Sequence, residues 1–151
     1  MSLLSDRRTR RTPWHLWLVG LLALLWNGFG AFDFVMTLSH NAQYMARFTQ
    51  QQLDYFYSLS QWSMIAWGIG VWGGVLGAVF LLLRRGWSVW AFFLSMLAVL
   101  VSMTHKFFFA GDTQPASATS GIELWFSLAV LLVSVFLFFY AGLLNKNNRL
   151  R

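Results

Sequence analysis

Four stretches of the chain are apolar for long enough to cross a bilayer, and polar residues gather in the joints between them. The runs are Trp14 to Leu38, Trp62 to Leu83, Trp87 to Phe109 and Ile122 to Leu144. At about 1.5 Å of rise per residue, each covers the roughly 30 Å of a hydrocarbon core. Lipid offers the backbone no hydrogen-bond partners, so unbroken runs of this length predict helices. The pattern therefore predicts an all-α polytopic membrane protein: a single transmembrane domain over residues 1–151, with four helices in an antiparallel bundle.

The joints carry their own signals. Residues 41–60 are too patterned for slack chain, because Thr49 and Gln52 have capping-box spacing and Leu53, Phe56 and Tyr57 then share a helical face. This predicts a short amphipathic helix lying on the outer membrane surface or capping the bundle, read as a lid that fills space or as a substrate gate. Arg84-Arg85-Gly86 is a tight joint and predicts that the second and third spans form a hairpin. Gly111 to Gly121, small, polar and containing Pro115, reads as an outer loop. The first run follows Arg7, Arg8, Arg10 and Arg11, but it is longer than a signal's apolar region and no small-residue cleavage pattern follows, so it is expected to stay as a span.

Composition agrees: 58% of residues are apolar and only 11% charged, more hydrophobic side chain than a soluble domain of this size buries. The net charge of +6 does not imply nucleic acid, because the basic residues sit beside spans rather than on one soluble face. Arg7, Arg8, Arg10, Arg11, Arg84, Arg85, Lys146, Arg149 and Arg151 fall on one side, with only Arg47 and Lys106 on the other. By the positive-inside rule both termini are expected in the cytoplasm of a bacterial inner membrane. Trp14, Trp17, Trp62, Trp87 and Trp125 lie near span ends, where indoles anchor. With no cysteine, disulfides, thiolate metal sites and cysteine nucleophiles are excluded.

Helices in lipid meet through small and polar residues. The second span carries Ala66, Gly70, Gly73, Gly74 and Gly77, a groove expected to receive another helix. The third carries Ser88, Ala91, Ser95, Ala98, Ser102 and His105, the fourth Glu123, Ser127, Ser134 and Ala141, and the first Gly20, Ala23, Asn27 and Gly30. The glycines of the second span have no preceding strand and do not read as a dinucleotide loop. Asn27, near mid-membrane, is expected to make an interhelical hydrogen bond.

Asp33, His105, Lys106 and Glu123 all fall near the outer end of a span. Ionisable groups in a membrane face protein or water, so these four form the candidate cluster, as ion pairs or as a binding or proton-linked site. There is no His-Glu-x-x-His, nucleophile elbow or metal-ligand spacing, so no enzyme activity, metal or cofactor is expected.

WNGFGAFDFVMT at Trp26 to Thr37, YMARFTQQQLDYF at Tyr44 to Phe56 and GVWGGVLGAVFLLLRRGWSV at Gly70 to Val89 resemble an uncharacterised group of small four-helix inner-membrane proteins of proteobacteria. Some members are labelled sugar transporter. Members often have a proline just before the second span, where this chain reads SLSQW. The resemblance implies the same four-helix topology and no catalytic residues. Two functions are weighed: an accessory or structural protein making helix–helix or lipid contacts, and transport of a small neutral solute such as a sugar. Expected partners are membrane lipid, a second copy or another membrane protein, and in the transport reading the solute.

Overall fold

The computed structural model describes residues 12–105, 108 and 121–150, without the side chains of residues 55 and 121–123. Six helices follow one another: α1 (Trp14–Leu38), α2 (Ala42–Met45), α3 (Gln50–Ser58), α4 (Gln61–Leu82), α5 (Trp87–Thr104) and α6 (Gly121–Lys146). Among the described residues there is no strand. Four helices, α1, α4, α5 and α6, are long and apolar enough to cross a membrane.

The first span has its predicted bounds, and α4 begins and ends one residue earlier than predicted. Ser60 explains the start of α4: its side chain accepts the Ser63 N–H, so the SLSQW stretch supplies a serine cap. The third span, α5, runs to Thr104, and most of the remainder of that predicted span lies outside the described residues, as does most of the Gly111 to Gly121 joint.

The segment over residues 41–60 is two short helices rather than one. Asn41 caps α2 by accepting the Tyr44 N–H. Thr49 then opens α3 with the predicted capping box, its hydroxyl accepting the Gln52 N–H while the Gln52 side chain accepts the Thr49 N–H. Two polar caps eight residues apart on this chain (Asn41, Thr49) start two helices, because each one satisfies its own orphan donors.

Three helices end on a residue with positive φ that is not glycine: His40 at 50°, Arg84 at 58° and Asn148 at 53°. Each sits in a paired terminal turn. After α4, the Arg84 N–H donates to the Leu81 carbonyl at 3.0 Å and the Arg85 N–H to the Phe80 carbonyl at 2.8 Å. This Schellman geometry satisfies the last carbonyls of the helix and reverses the chain at once. The turn after α6 brings Leu150 back into the core, where it is 7% exposed.

α4 packs between α1 and α5, and α5 packs in turn on α6. Consecutive residues on a helix point about 100° apart, so Gly73 and Gly74 cannot serve the same neighbour. A methyl on Gly73 would meet Ser95 and the Ala91 carbonyl of α5, and one on Gly77 would meet the Phe92 ring at 2.6 Å. One on Gly74 would run into the Asn27 carboxamide of α1, and Gly68 faces the Phe34 ring. The groove thus receives two helices of the same chain.

All four long helices contribute to one apolar cluster: Leu16 and Ala23 of α1, Ala78 and Leu81 of α4, Phe92 of α5, and Leu137, Ala141 and Leu144 of α6. These residues lie in the halves of the helices nearest the Arg84 joint. Lateral contact between α1 and α6 includes side-chain bridges, with Tyr140 Oη and His15 Nδ1 2.5 Å apart and the Trp26 and Phe126 rings 6.3 Å apart.

Candidate functional site

At the α2–α3 end, Asp33 emerges half-buried from the last turns of α1. The short α2, turned back by the paired turn at His40, brings Tyr44 to it, and the Tyr44 hydroxyl donates a 2.6 Å hydrogen bond to Asp33 Oδ1. The Arg47 guanidinium lies over the Tyr44 ring, 5.9 Å from its centre. Burial, and then the hydrogen bond to Asp33 and the carboxylate's charge, push the Tyr44 hydroxyl up to about 12, with Arg47 opposing.

Around this pair the rings form a continuous series. Phe32 meets the Tyr44 ring edge-on at 5.8 Å, Tyr44 meets Phe48 at 5.6 Å, and Phe48 meets Phe56 at 5.3 Å. Phe56 stacks on Trp67 of α4 at 6.5 Å, and Trp67 meets Phe34 of α1 edge-on at 5.2 Å. The series ties both short helices to α1 and α4. Edge-to-face pairs of this kind contribute about 0.5–1.5 kcal/mol each beyond their burial.

His105 follows α5 at the same end. Its Nδ1 is 3.2 Å from Ser63 Oγ, and Ser63 in turn contacts Ser60 Oγ at 3.0 Å. Asp33 is thus held by Tyr44 of α2, and His105 meets Ser63 of α4. Lys106 and the side chain of Glu123 lie outside the described residues. Among those that are described, no group of three or more His, Asp or Glu stands ready for a metal ion.

The mid-span polar residues are engaged in packing. Ser95 Oγ donates a 2.6 Å hydrogen bond to the Gly70 carbonyl, joining α5 to α4 inside the core. Asn27 Nδ2 donates to the Ala23 carbonyl of its own helix at 2.8 Å. The hydrogen bond it makes is thus within α1, and its contact with α4 is the bare Cα of Gly74. Ser134 likewise bonds the Leu131 carbonyl of its own helix at 2.8 Å.

Sequence reasoning missed Tyr44 as the partner of Asp33, Ser63 as a partner of His105, and the contact of His15 with Tyr140. Only the first had a local signal: the Asn41 cap places Tyr44 one turn into a helix beginning just past α1. The other two join residues 42 and 125 positions apart.

Comparison with known proteins returns no match, whether to a family model, a curated protein or a solved structure.

Proposed function

We propose that the protein is an accessory, structural component of a bacterial inner membrane, with its four long helices antiparallel and both termini in the cytoplasm. The observation that carries this reading is the filling of the α4 faces. Gly74 receives Asn27, Gly77 receives Phe92, and Gly73 receives Ser95, so the small-residue surfaces are taken up by the chain's own helices. Contacts along α1 and α4 run in opposite order, Gly20 with Leu82, Gly30 with Val71 and Phe34 with Gly68, which supports the antiparallel arrangement. Nine of the eleven basic residues at the two termini and the Arg84 joint support the orientation. The resemblance to the small four-helix inner-membrane group supports the four-span topology.

Transport of a small neutral solute, the alternative, calls for a polar path between helices that rock against each other. Of the hydroxyls on the inward stripes, Ser95 is engaged with the Gly70 carbonyl and Ser134 with that of Leu131, and those of Ser88 and Ser102 are buried away from solvent. That favours the accessory reading, which requires no chemistry of the chain beyond packing.

The test is reconstitution. In proteoliposomes, uptake of a panel of neutral sugars is expected to equal that of empty vesicles. In cells, a photo-crosslinker at Leu132, 67% exposed on α6, is expected to capture one defined membrane protein or a second copy. Sugar uptake above the empty-vesicle rate, with lipid adducts only at Leu132, would overturn the reading in favour of transport.

A further inference from the structure

The end of the molecule away from α2 and α3 has a charge pattern of its own. Among the described residues, Arg84, Arg85, Lys146 and Arg149 gather there, while both described carboxylates, Asp33 and Asp54, belong to the opposite end. Between the start of α5 and the end of α6 lies an open depression of about 220 Å³ lined by Gly86, Trp87, Trp90 and Asn145. Trp87 and Trp90 are 69% and 67% exposed, and Asn145 is exposed as well. Arg85 immediately precedes this lining and Lys146 immediately follows it, both exposed.

We propose that this depression binds the headgroup of an anionic phospholipid. The proposal rests on the reading of the chain as a membrane protein and adds the class of lipid that it selects. Indoles settle at the depth of the headgroups, which sets the level of the depression. The lining residues can donate hydrogen bonds, each indole through its N–H and Asn145 through the NH2 of its carboxamide. Arg85 adds a planar guanidinium suited to two phosphate oxygens, and Lys146 adds a point charge. No described carboxylate stands at this end to repel a phosphodiester. Basic pockets between transmembrane helices at the cytoplasmic surface are a recurrent form of headgroup recognition. The same positive charges orient the chain in the membrane, so one set of residues serves both purposes. A zwitterionic lipid would place its own ammonium among these cations.

The experiment uses the full chain in a neutral detergent, with thermal unfolding followed during titration with phosphatidylglycerol, phosphatidylcholine or inorganic phosphate. Phosphatidylglycerol is expected to raise the unfolding temperature in a saturable way, and the other two are expected to leave it nearly unchanged. Arg85→Gln and Lys146→Gln are each expected to weaken the phosphatidylglycerol effect about fivefold, while Arg47→Gln at the other end leaves it unchanged. Equal effects of phosphatidylglycerol and phosphatidylcholine, or an equal loss in Arg47→Gln, would overturn the proposal. A rise with inorganic phosphate alone would also overturn it, making the site one for the free anion. Flotation of the protein with pure phosphatidylcholine vesicles reports on the membrane reading separately.

Discussion

The carboxamide of Asn27 occupies the space that a side chain on Gly74 would need, and it is fixed there by its own hydrogen bond to the Ala23 carbonyl. An asparagine free to swing away would tolerate a methyl opposite it, whereas one tied to its own helix does not. Gly74→Ala is therefore expected to destabilise the bundle by about 1–3 kcal/mol, the usual range for overpacking. The same change in an Asn27→Ala background is expected to cost far less, and the double-mutant cycle measures the coupling. Gly28→Ala is the control, because a methyl there meets nothing within 4 Å. Reversible unfolding in mixed micelles reports all four variants.

Two serines on the same face of α5 separate packing from hydrogen bonding. Ser95 is 4% exposed and bonds the Gly70 carbonyl, while Ser88 is fully buried and its hydroxyl has no hydrogen-bond partner among the described residues. Ser95→Ala removes an interhelical bond and is expected to cost about 0.6–1.7 kcal/mol. Ser88→Ala removes a buried hydroxyl without such a bond and is expected to be neutral or stabilising. Equal losses in the two variants would show that the Ser95 bond contributes nothing particular.

Tyr44 gives the α2–α3 end a signature at high pH. Its hydroxyl, held up to about 12 against an ordinary value of 10.0, keeps its proton in the folded state over a range in which the unfolded chain loses it. The folded state then binds more protons, so the contribution to stability is fully present below pH 10.0 and is lost as the pH rises towards about 12. In an alkaline titration followed by tyrosinate absorbance, the Tyr44 hydroxyl is expected to ionise late. Asp33→Asn is expected to move that step towards the ordinary value without reaching it, because burial is the larger cause. Tyr44→Phe should remove the step altogether.

The long helices were legible because lipid imposes a simple rule: a run that cannot bond water must bond itself. Trp14 and Leu38 bound α1 in the sequence pattern and in the structure alike. The Thr49–Gln52 capping box was legible for a similar reason, since its bonds close within three residues. What escaped were relationships set by the direction of side chains in space. The glycines of α4 read as a single groove, but the rotation between Gly73 and Gly74 divides them between α5 and α1. Asn27 read as a bridge between helices, and its amide instead bonds its own turn. In the candidate cluster Asp33 lacked its partner, because Tyr44 belongs to a four-residue helix whose only local sign is the Asn41 cap.

The central claim, four spans with both termini on the cytoplasmic side, is tested most directly by single cysteines, since the chain has none of its own. Cysteines would replace Gln43 and Gln51 at one end, and Arg85 and Asn147 at the other, and intact spheroplasts would be treated with a membrane-impermeant maleimide. Labelling is expected at 43 and 51 in intact spheroplasts, and at 85 and 147 only after the membrane is permeabilised. Labelling of Asn147→Cys before permeabilisation, with Arg85→Cys still protected, would contradict the four-span account; the reverse pattern at all four positions would contradict its orientation.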